Sequence, residues 1–578
     1  MSEKKLLLGN AAVARGLYEA GCRFVSSYPG TPSTEITEYT AEYKEIYAEW
    51  APNEKVAAEA AIGASIGGGR SFCGMKHVGF NVAADPLFIS SYTGVNGGLI
   101  IAVADDSGMH SSQNEQDSRF YARSAHVPML EPSDSAECVA FVKKAFEMSE
   151  AYDTPVMLRV LTRIAHSRSL VEPGAQEAVP LRDYVKNPAK FVMMPGFARG
   201  RHVVVEEREN RLKAEIASLG LNRIEWADRK IGVVCAGAVY NYVKEALPEA
   251  SVLKLGLVYP IDEALIREFA EGVETLYVIE ELEPYFEDAI KALGIAVSGK
   301  EKTGLQGELF VRKIAHQFAD APNPGPAETT GIPNRPPVLC PGCPHRAVFY
   351  TLNKMKLTVS GDIGCYTLGA LPPLSAMDSE ICMGASIGLA SGLEKARGKE
   401  FAKKTVAVIG DSTFVHSGVT GLINVVYNRS NTTVLILDNS TTGMTGHQPN
   451  PSTGVTIRGE ISTQLDIVKL CEAIGVPSIR VVDPHELKVL QSTIAEELEK
   501  DCPSVIVVRR PCVLLSKQKL PIYRVDQEKC IHCGACMKLG CPAIEKTGAD
   551  IHINPALCVG CGQCGSVCPV GAMNPQKL

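Results

Sequence analysis

Apolar and polar positions along the chain form short β-branched runs separated by longer amphipathic stretches, the pattern of strands alternating with helices. The clearest unit is TVAVIGDSTF at 405–414 and TTVLILDNS at 432–440, two apolar runs ending in polar tips. Between them, HSGVTGLINVVYNRS has the length and period of a crossover helix, so the unit reads as βαβ with parallel strands. Parallel pairing puts both tips at one carboxyl edge, where open α/β sheets bind ligands. EICMGASIGLASGLEKA (380–396) reads as a small-residue helix able to pack closely behind that edge, and TTGMTGHQ (441–448) as a glycine-broken loop after the second strand.

The N-terminal part repeats the logic. FVSSYPGTPSTEI (24–36) is a strand, a Pro/Gly turn and a helix capped by Ser33 or Thr34. NEKVAAEAAIGASIGGG (53–69) is an Ala/Gly-rich helix in which Glu59 stands inside the small-residue run with no evident local ion pair. IGVVCAGA, VLKLGLVYP and TLYVIEEL alternate with helices across 231–298 and predict a small parallel α/β domain. The charges of ERENRLKAEIASLG, within a connector at 171–230, read as a solvated helix face. NPGPAETTGIPNRPP (323–337) is Pro-rich and marks a linker. The expected fold class is multidomain α/β: 1–170, the connector 171–230, 231–298, a linker 299–337, 338–515 and a small C-terminal domain at 523–578.

A length of 578 residues suits about four domains at about 150 residues each. With 45% hydrophobic and 21% charged residues, the balance is that of an ordinary globular protein. A net charge of −7 without a polybasic run argues against nucleic acid as the main partner. No run approaches the ~18 apolar residues of a membrane helix, and MSEKKLLLGN lacks a secretory apolar region. A cytoplasmic location is the expectation.

The nineteen cysteines change the picture, because many are concentrated at the C-terminus in metal-ligand spacing. Cys530, Cys533, Cys536 and Cys541-Pro542 make C-x2-C-x2-C-x4-C-P, and Cys558, Cys561, Cys564 and Cys568-Pro569 make C-x2-C-x2-C-x3-C-P. The second is the bacterial ferredoxin run, and the pair implies two [4Fe–4S] clusters, the fourth cysteine of each run serving the other cluster. One cluster is then expected on Cys530, Cys533, Cys536 and Cys568, the other on Cys558, Cys561, Cys564 and Cys541. Zinc would leave the doubled spacing and both prolines unexplained. This module resembles two-cluster ferredoxins and would conduct electrons without producing them.

At the carboxyl edge upstream, Asp411 and Asn439 offer oxygen ligands to Mg²⁺, with the Thr441 carbonyl as a third. A magnesium held by few protein oxygens completes its shell from water and phosphates, so the ligand carried there would be a diphosphate. The pair resembles the thiamine diphosphate motif, in which Gly-Asp-Gly is followed about two dozen residues later by Asn-Asn; here it stands as GDS and DN. Gly410, Ser412, Gly443 and Met444 accompany it as cofactor-binding candidates. A plain βαβ unit with capping Asp and Asn is the alternative.

Together YPGTPS, the AAEAAIGASIGGG helix, the GDS and DN pair and the terminal cysteine runs resemble the 2-oxoacid:ferredoxin oxidoreductases over nearly the whole chain. The resemblance implies pyrimidine-type and diphosphate-type thiamine-binding domains, with 231–298 similar to a transketolase C-terminal domain. It implies that Thr31 contacts the 2-oxoacid and that Glu59 activates thiamine. It further implies a third [4Fe–4S] cluster on Cys340, Cys343, Cys365 and Cys512, a smaller gamma-type (beta) subunit, coenzyme A as co-substrate, an external ferredoxin as acceptor and a dimer of heterodimers. His77 and His110 follow strand-like runs and are candidates for lining the substrate pocket. The expected reaction is coenzyme A-dependent oxidative decarboxylation of an aryl 2-oxoacid. Pyruvate or branched-chain substrates, a non-oxidative thiamine decarboxylase and a non-catalytic iron–sulfur subunit remain open from the sequence.

Overall fold

The structure, a computed structural model, describes residues 3–319, 321–323, 325, 331–333, 336–516 and 520–576. It divides into two compact units, Met1–Thr330 and Gly331–Leu578.

In the first unit the buried apolar runs predicted as strands assemble into a seven-stranded sheet. Its order is Leu257–Tyr259, Met129–Leu130, Val156–Leu161, Leu99–Asp105, Ser71–Lys76, Phe24–Ser27 and Tyr47–Trp50. Every pairing is parallel except that of Leu257–Tyr259 with Met129–Leu130. The strands at Leu99–Asp105 and Val156–Leu161 are buried at every position, as expected of a sheet covered on both faces. A second sheet orders Thr275–Val278, Asp228–Ala236, Ala250–Leu255 and Arg223–Glu225.

Three expectations are corrected here. VLKLGLVYP is not one strand: Gly256 breaks it, and Leu257–Tyr259 crosses to the edge of the larger sheet. The charged helix of the connector, Pro195–Glu215, is not merely solvated. Val205, Arg208 and Leu212 are buried along one stripe, and the Arg208 guanidinium donates to the Ser91 carbonyl at 2.7 Å and the Ser91 hydroxyl at 2.8 Å. Residues 299–318 are not linker either, because helix Val311–Phe318 buries Ile314 and Phe318 with Leu309 against Val233, Val239 and Ile279. Much of the Pro-rich stretch, including 326–330 and 334–335, lies outside the described residues.

In the second unit a five-stranded, wholly parallel sheet runs in the order Thr358–Ser360, Thr405–Gly410, Thr433–Asp438, Ser504–Arg509 and Ser478–Val482. The predicted βαβ unit is its centre, with Gly410 paired to Leu437. The crossover is a continuous helical run from Asp411 to Tyr427, with a π turn at Phe414–Gly418. The small-residue helix is shorter than predicted, Ser386–Arg397. The Asp362 carboxylate explains its start by accepting the Gly384 and Ser386 amides at 2.7 and 3.0 Å, and Gly384 turns there with φ +87°. Beyond it, Tyr523–Val525 pairs antiparallel with Met573–Pro575, and Ile544–Thr547 with Asp550–Ile553, around the C-terminal cysteines.

Candidate functional site

Asp411 is the first residue after strand Thr405–Gly410 and is 3% exposed. Its Oδ1 accepts the Ser412 amide at 2.8 Å, while Oδ2 has no partner among the described residues. Burial first, then the charge of Asp438, pushes its pKa up to about 7, against the nearby amides of Ser412, Ser440 and Thr441, which pull it down. Asp438 is already paired with Arg509 at 2.8 Å, so the open, buried Asp411 oxygen is the one that fits a divalent cation. Asn439 follows the neighbouring strand and is also buried; its Oδ1 accepts the Thr441 amide at 3.3 Å, and its amide nitrogen lies 3.3 Å from His345 Nε2. Ser412 accepts from Thr442 at 3.0 Å, tying the two strand ends together. Thr441 is buried, Gly443 packs beside the Cys365 thiol, and Met444 is half exposed. The predicted diphosphate and magnesium residues thus gather at one sheet edge, except that the Met444 side chain faces largely into solvent.

Cys340, Cys343, Cys365 and Cys512 are drawn to the same edge. Burial, then Cys512 and Cys340, pushes the Cys365 thiol up to about 11. Burial raises Cys343 to about 12, with Cys365 and Cys340 adding to it. Burial raises Cys512 as well, with Cys340 adding to it, and Cys512 donates its backbone N–H to the Asn439 carbonyl at 2.8 Å. A cluster bound by such thiols would take up their protons' place as its metal–sulfur bonds form.

In the C-terminal module Cys541 approaches the Cys558 run and Cys568 approaches the Cys533 run. Cys564 is raised by burial to about 12, with Cys561, Cys558 and Cys541 contributing. Cys536 is raised by burial, with Cys533 and Cys568 contributing. Cys530, before the first of these, donates its amide to Asp526. Among the described residues no three metal-binding side chains converge on one ion position.

In the first unit, Thr31 is half-buried in the turn after Phe24–Ser27, and its carbonyl accepts from Ser111 at 3.1 Å. Ser33 occupies the N-cap position of helix Thr34–Ala41 but spends its hydroxyl on the Gly30 carbonyl. Glu59 departs from expectation. It is 46% exposed and ion-pairs with Lys55 one turn earlier, a local partner at i,i+4. The buried acid of that helix is Glu54, 5% exposed, in the first turn after the Asn53 cap. Its carboxylate lies so close to Gly79 that a Cβ there would stand 2.2 Å from Oε1. Both glutamates lie on the same Ala/Gly-rich helix, and an acid in a first helical turn is ordinarily a dipole partner, so no sequence pattern singles Glu54 out.

His77 does not sit in a loop: it opens helix His77–Val82, is 1% exposed and places Nε2 3.1 Å from the Asn114 carbonyl. His110 is in a loop and pairs with Glu308 at 3.2 Å. Lys76, which no sequence pattern singles out, runs beside Gly30 of the YPGTP turn and donates to the Ser111 carbonyl at 2.7 Å. Burial lowers its pKa against the pull of Asp106 and Glu54.

Comparison with known proteins agrees with this layout. Residues 15–215 match the family model "Pyruvate flavodoxin/ferredoxin oxidoreductase, thiamine diP-bdg", 362–508 a C-terminal thiamine pyrophosphate-binding domain, and 522–571 a 4Fe-4S dicluster domain. The indolepyruvate oxidoreductase subunit IorA of Pyrococcus horikoshii is 41% identical over 100% of this chain and 97% of its own. That of Archaeoglobus fulgidus is 38% identical over 100% and 98%. This chain belongs to the IorA family. It is a thiamine diphosphate-dependent 2-oxoacid:ferredoxin oxidoreductase subunit with an iron–sulfur domain, and the family is multi-subunit. A solved 2-oxoglutarate:ferredoxin oxidoreductase from Magnetococcus marinus overlaps 55% of this chain and 65% of its own at 16% identity and a TM-score of 0.48. Among the described residues no helix is long and apolar enough to cross a membrane.

Proposed function

We propose that this chain, with a smaller gamma-type subunit in a dimer of heterodimers, carries out coenzyme A-dependent oxidative decarboxylation of aryl 2-oxoacids and passes the electrons to an external ferredoxin. The observation that carries the reading is the orphaned, buried Asp411 Oδ2 at the carboxyl edge, beside Asn439 and a set of four thiols. The aryl preference is supported by full-length similarity to subunits named for indolepyruvate. Thiamine diphosphate, when bound, supplies the nucleophilic carbon for decarboxylation, and iron–sulfur clusters supply one-electron acceptors.

In this reading Asp411, Asn439 and the Thr441 carbonyl hold Mg²⁺, with Gly410, Ser412 and Gly443 around the diphosphate. Glu54, rather than Glu59, is the carboxylic acid that faces the aminopyrimidine, because it is the buried one. Thr31 and His77 line the 2-oxoacid side. Three [4Fe–4S] clusters are held by Cys340/Cys343/Cys365/Cys512, by Cys541/Cys558/Cys561/Cys564 and by Cys530/Cys533/Cys536/Cys568. A reducing cytoplasmic setting fits nineteen cysteines that are all free of disulfides.

The test is anaerobic purification with the partner subunit and coenzyme A-dependent viologen reduction with indolepyruvate, phenylpyruvate, pyruvate and 2-oxoglutarate. Higher kcat/KM for the two aryl acids is expected. Preference for pyruvate or 2-oxoglutarate would overturn the substrate class, and dye reduction by none of them would overturn the reaction.

A further inference from the structure

Within the second unit, one buried cation stands where the CPGC loop meets the C-terminal cysteine module. Arg346, in the first turn of helix Pro344–Met355, is 2% exposed. Its Nη1 donates to the Leu539 carbonyl at 2.8 Å, just ahead of Cys541. Its Nη2 donates to the Leu339 carbonyl and, at 3.2 Å, to that of Cys340. Nε is buried with no partner among the described residues, leaving an N–H that a thiolate or sulfide could accept. Arg346 also lines a cavity together with Cys541, Cys558, Cys561 and Cys564.

The opposite side of this junction is equally specific. Gln563, between Cys561 and Cys564 and 2% exposed, donates to the Cys343 carbonyl at 3.2 Å and lies 2.6 Å from His485 Nε2. Gly342, the glycine of CPGC, lies so close to the module that a Cβ there would stand 2.4 Å from a Val559 methyl and 3.4 Å from Cys561 Cβ. Burial lowers the Arg346 pKa, while Cys541, Cys343, Cys561 and Cys340 pull it back up. A guanidinium nevertheless keeps its proton in proteins, so a fixed positive charge stands among these four thiols.

A carbonyl clamp alone would need donors but no net charge. A buried cation does more, because it favours the more negative, reduced state of any redox group beside it. We propose that Arg346 is a positioning residue for electron transfer, clamping the Cys340/Cys343 loop to the Cys541/Cys558/Cys561/Cys564 set and raising the reduction potentials of the iron–sulfur groups on both. The proposal rests on the cysteine sets assigned above. No bond is made or broken at Arg346, and no proton leaves it.

The experiment compares the full chain with its partner subunit, unaltered and as Arg346→Met and Arg346→Lys, by iron content and by redox titration followed by electron paramagnetic resonance. With iron unchanged, Arg346→Met is expected to lower the reduced-to-oxidised ratio of two clusters at a fixed poise at least about tenfold, 59 mV for a one-electron couple. Arg346→Lys keeps the charge and the potentials, and the third cluster, on Cys530/Cys533/Cys536/Cys568, keeps its potential in both variants. If Arg346→Met loses iron, Arg346→Gln, which retains a carbonyl-bonding donor without the charge, replaces it with the same outcomes. Full iron with unchanged potentials in the neutral variant overturns the proposal. About eight iron atoms in the unaltered chain, where three clusters need about twelve, would instead remove the Cys340 set itself and the proposal with it.

Discussion

Two glutamates of one helix invite opposite predictions. Glu54 is buried and Glu59 is shared between solvent and Lys55. A proton-handling carboxylate contributes typically about 10²–10⁴-fold, so Glu54→Gln is expected to lower kcat by that order while iron content and circular dichroism stay unchanged. Glu59→Gln removes an exposed ion pair and should change stability by less than about 1 kcal/mol with little effect on kcat. Reversed kinetics would return the role to Glu59. Asp411 makes a separate prediction through binding. A ligand present at 100 times its Kd stabilises the folded state by about 2.7 kcal/mol, so Mg²⁺ with thiamine diphosphate should raise the melting temperature of the unaltered protein. Asp411→Asn keeps the size of the side chain but not the charge, and the shift should vanish. A persisting shift would mean that the cation is held elsewhere.

At the scale of elements, helix Thr34–Ala41 holds the YPGTP turn through Asn10, which donates to the Pro32 carbonyl at 2.7 Å and to Glu35 at 2.9 Å. Glu35 also faces His166 at 3.5 Å. The hydrogen bond to Glu35 raises His166 against the effect of burial, and Glu35 is lowered by His166 despite its own burial. A raised histidine stabilises fully below its unfolded pKa of about 6.5 and loses that contribution as pH climbs through the higher folded value. The melting-temperature gap between unaltered protein and His166→Gln should therefore be widest between about pH 5 and 6.5 and close above it. A gap that widens with pH would contradict the pairing. Gly384 is a tight turn of the same local kind: a Cβ there would stand 2.0 Å from Ser417 Oγ at φ +87°, and Gly384→Ala should cost about 1–3 kcal/mol in urea unfolding. Such elements mark what the sequence could reveal. The βαβ unit was legible because its strands are uniformly apolar and its tips polar, and the cysteine runs because their spacing has few other uses. Glu54, Lys76 and Arg346 were not, since each is an ordinary charged residue whose burial arises from distant segments. The start of helix Ser386–Arg397 was equally hidden, because Asp362 caps it from more than twenty residues upstream.

At the scale of the molecule, the first unit is held by a buried ion network rather than by apolar contact alone. Arg119, 1% exposed, binds Asp117 through Nε at 2.8 Å and Nη2 at 2.5 Å, reaches Glu280 with Nη1 at 2.6 Å, and donates from Nη2 to the Glu281 carbonyl at 3.1 Å. Arg159 binds Asp105 and Glu131, both at 2.7 Å. Asp105 ends a strand of the seven-stranded sheet, whereas Glu280 follows Thr275–Val278 of the four-stranded sheet, so the network spans both. Burial raises the Glu280 pKa and Arg119 opposes it. Removing the cation strands the carboxylates, a loss typically of about 3–5 kcal/mol. Arg119→Met should accordingly shift the far-ultraviolet urea transition of the first unit to lower concentration, and Arg119→Met with Glu280→Gln should recover part of it, because the cost lies in the stranded charge rather than in the missing bond. The visible absorption of the iron–sulfur groups, carried by the second unit, reports separately. If the two units unfold independently its midpoint stays where it was; if it moves together with the far-ultraviolet signal, the chain melts as one cooperative body and the network stabilises the cluster-bearing unit as well.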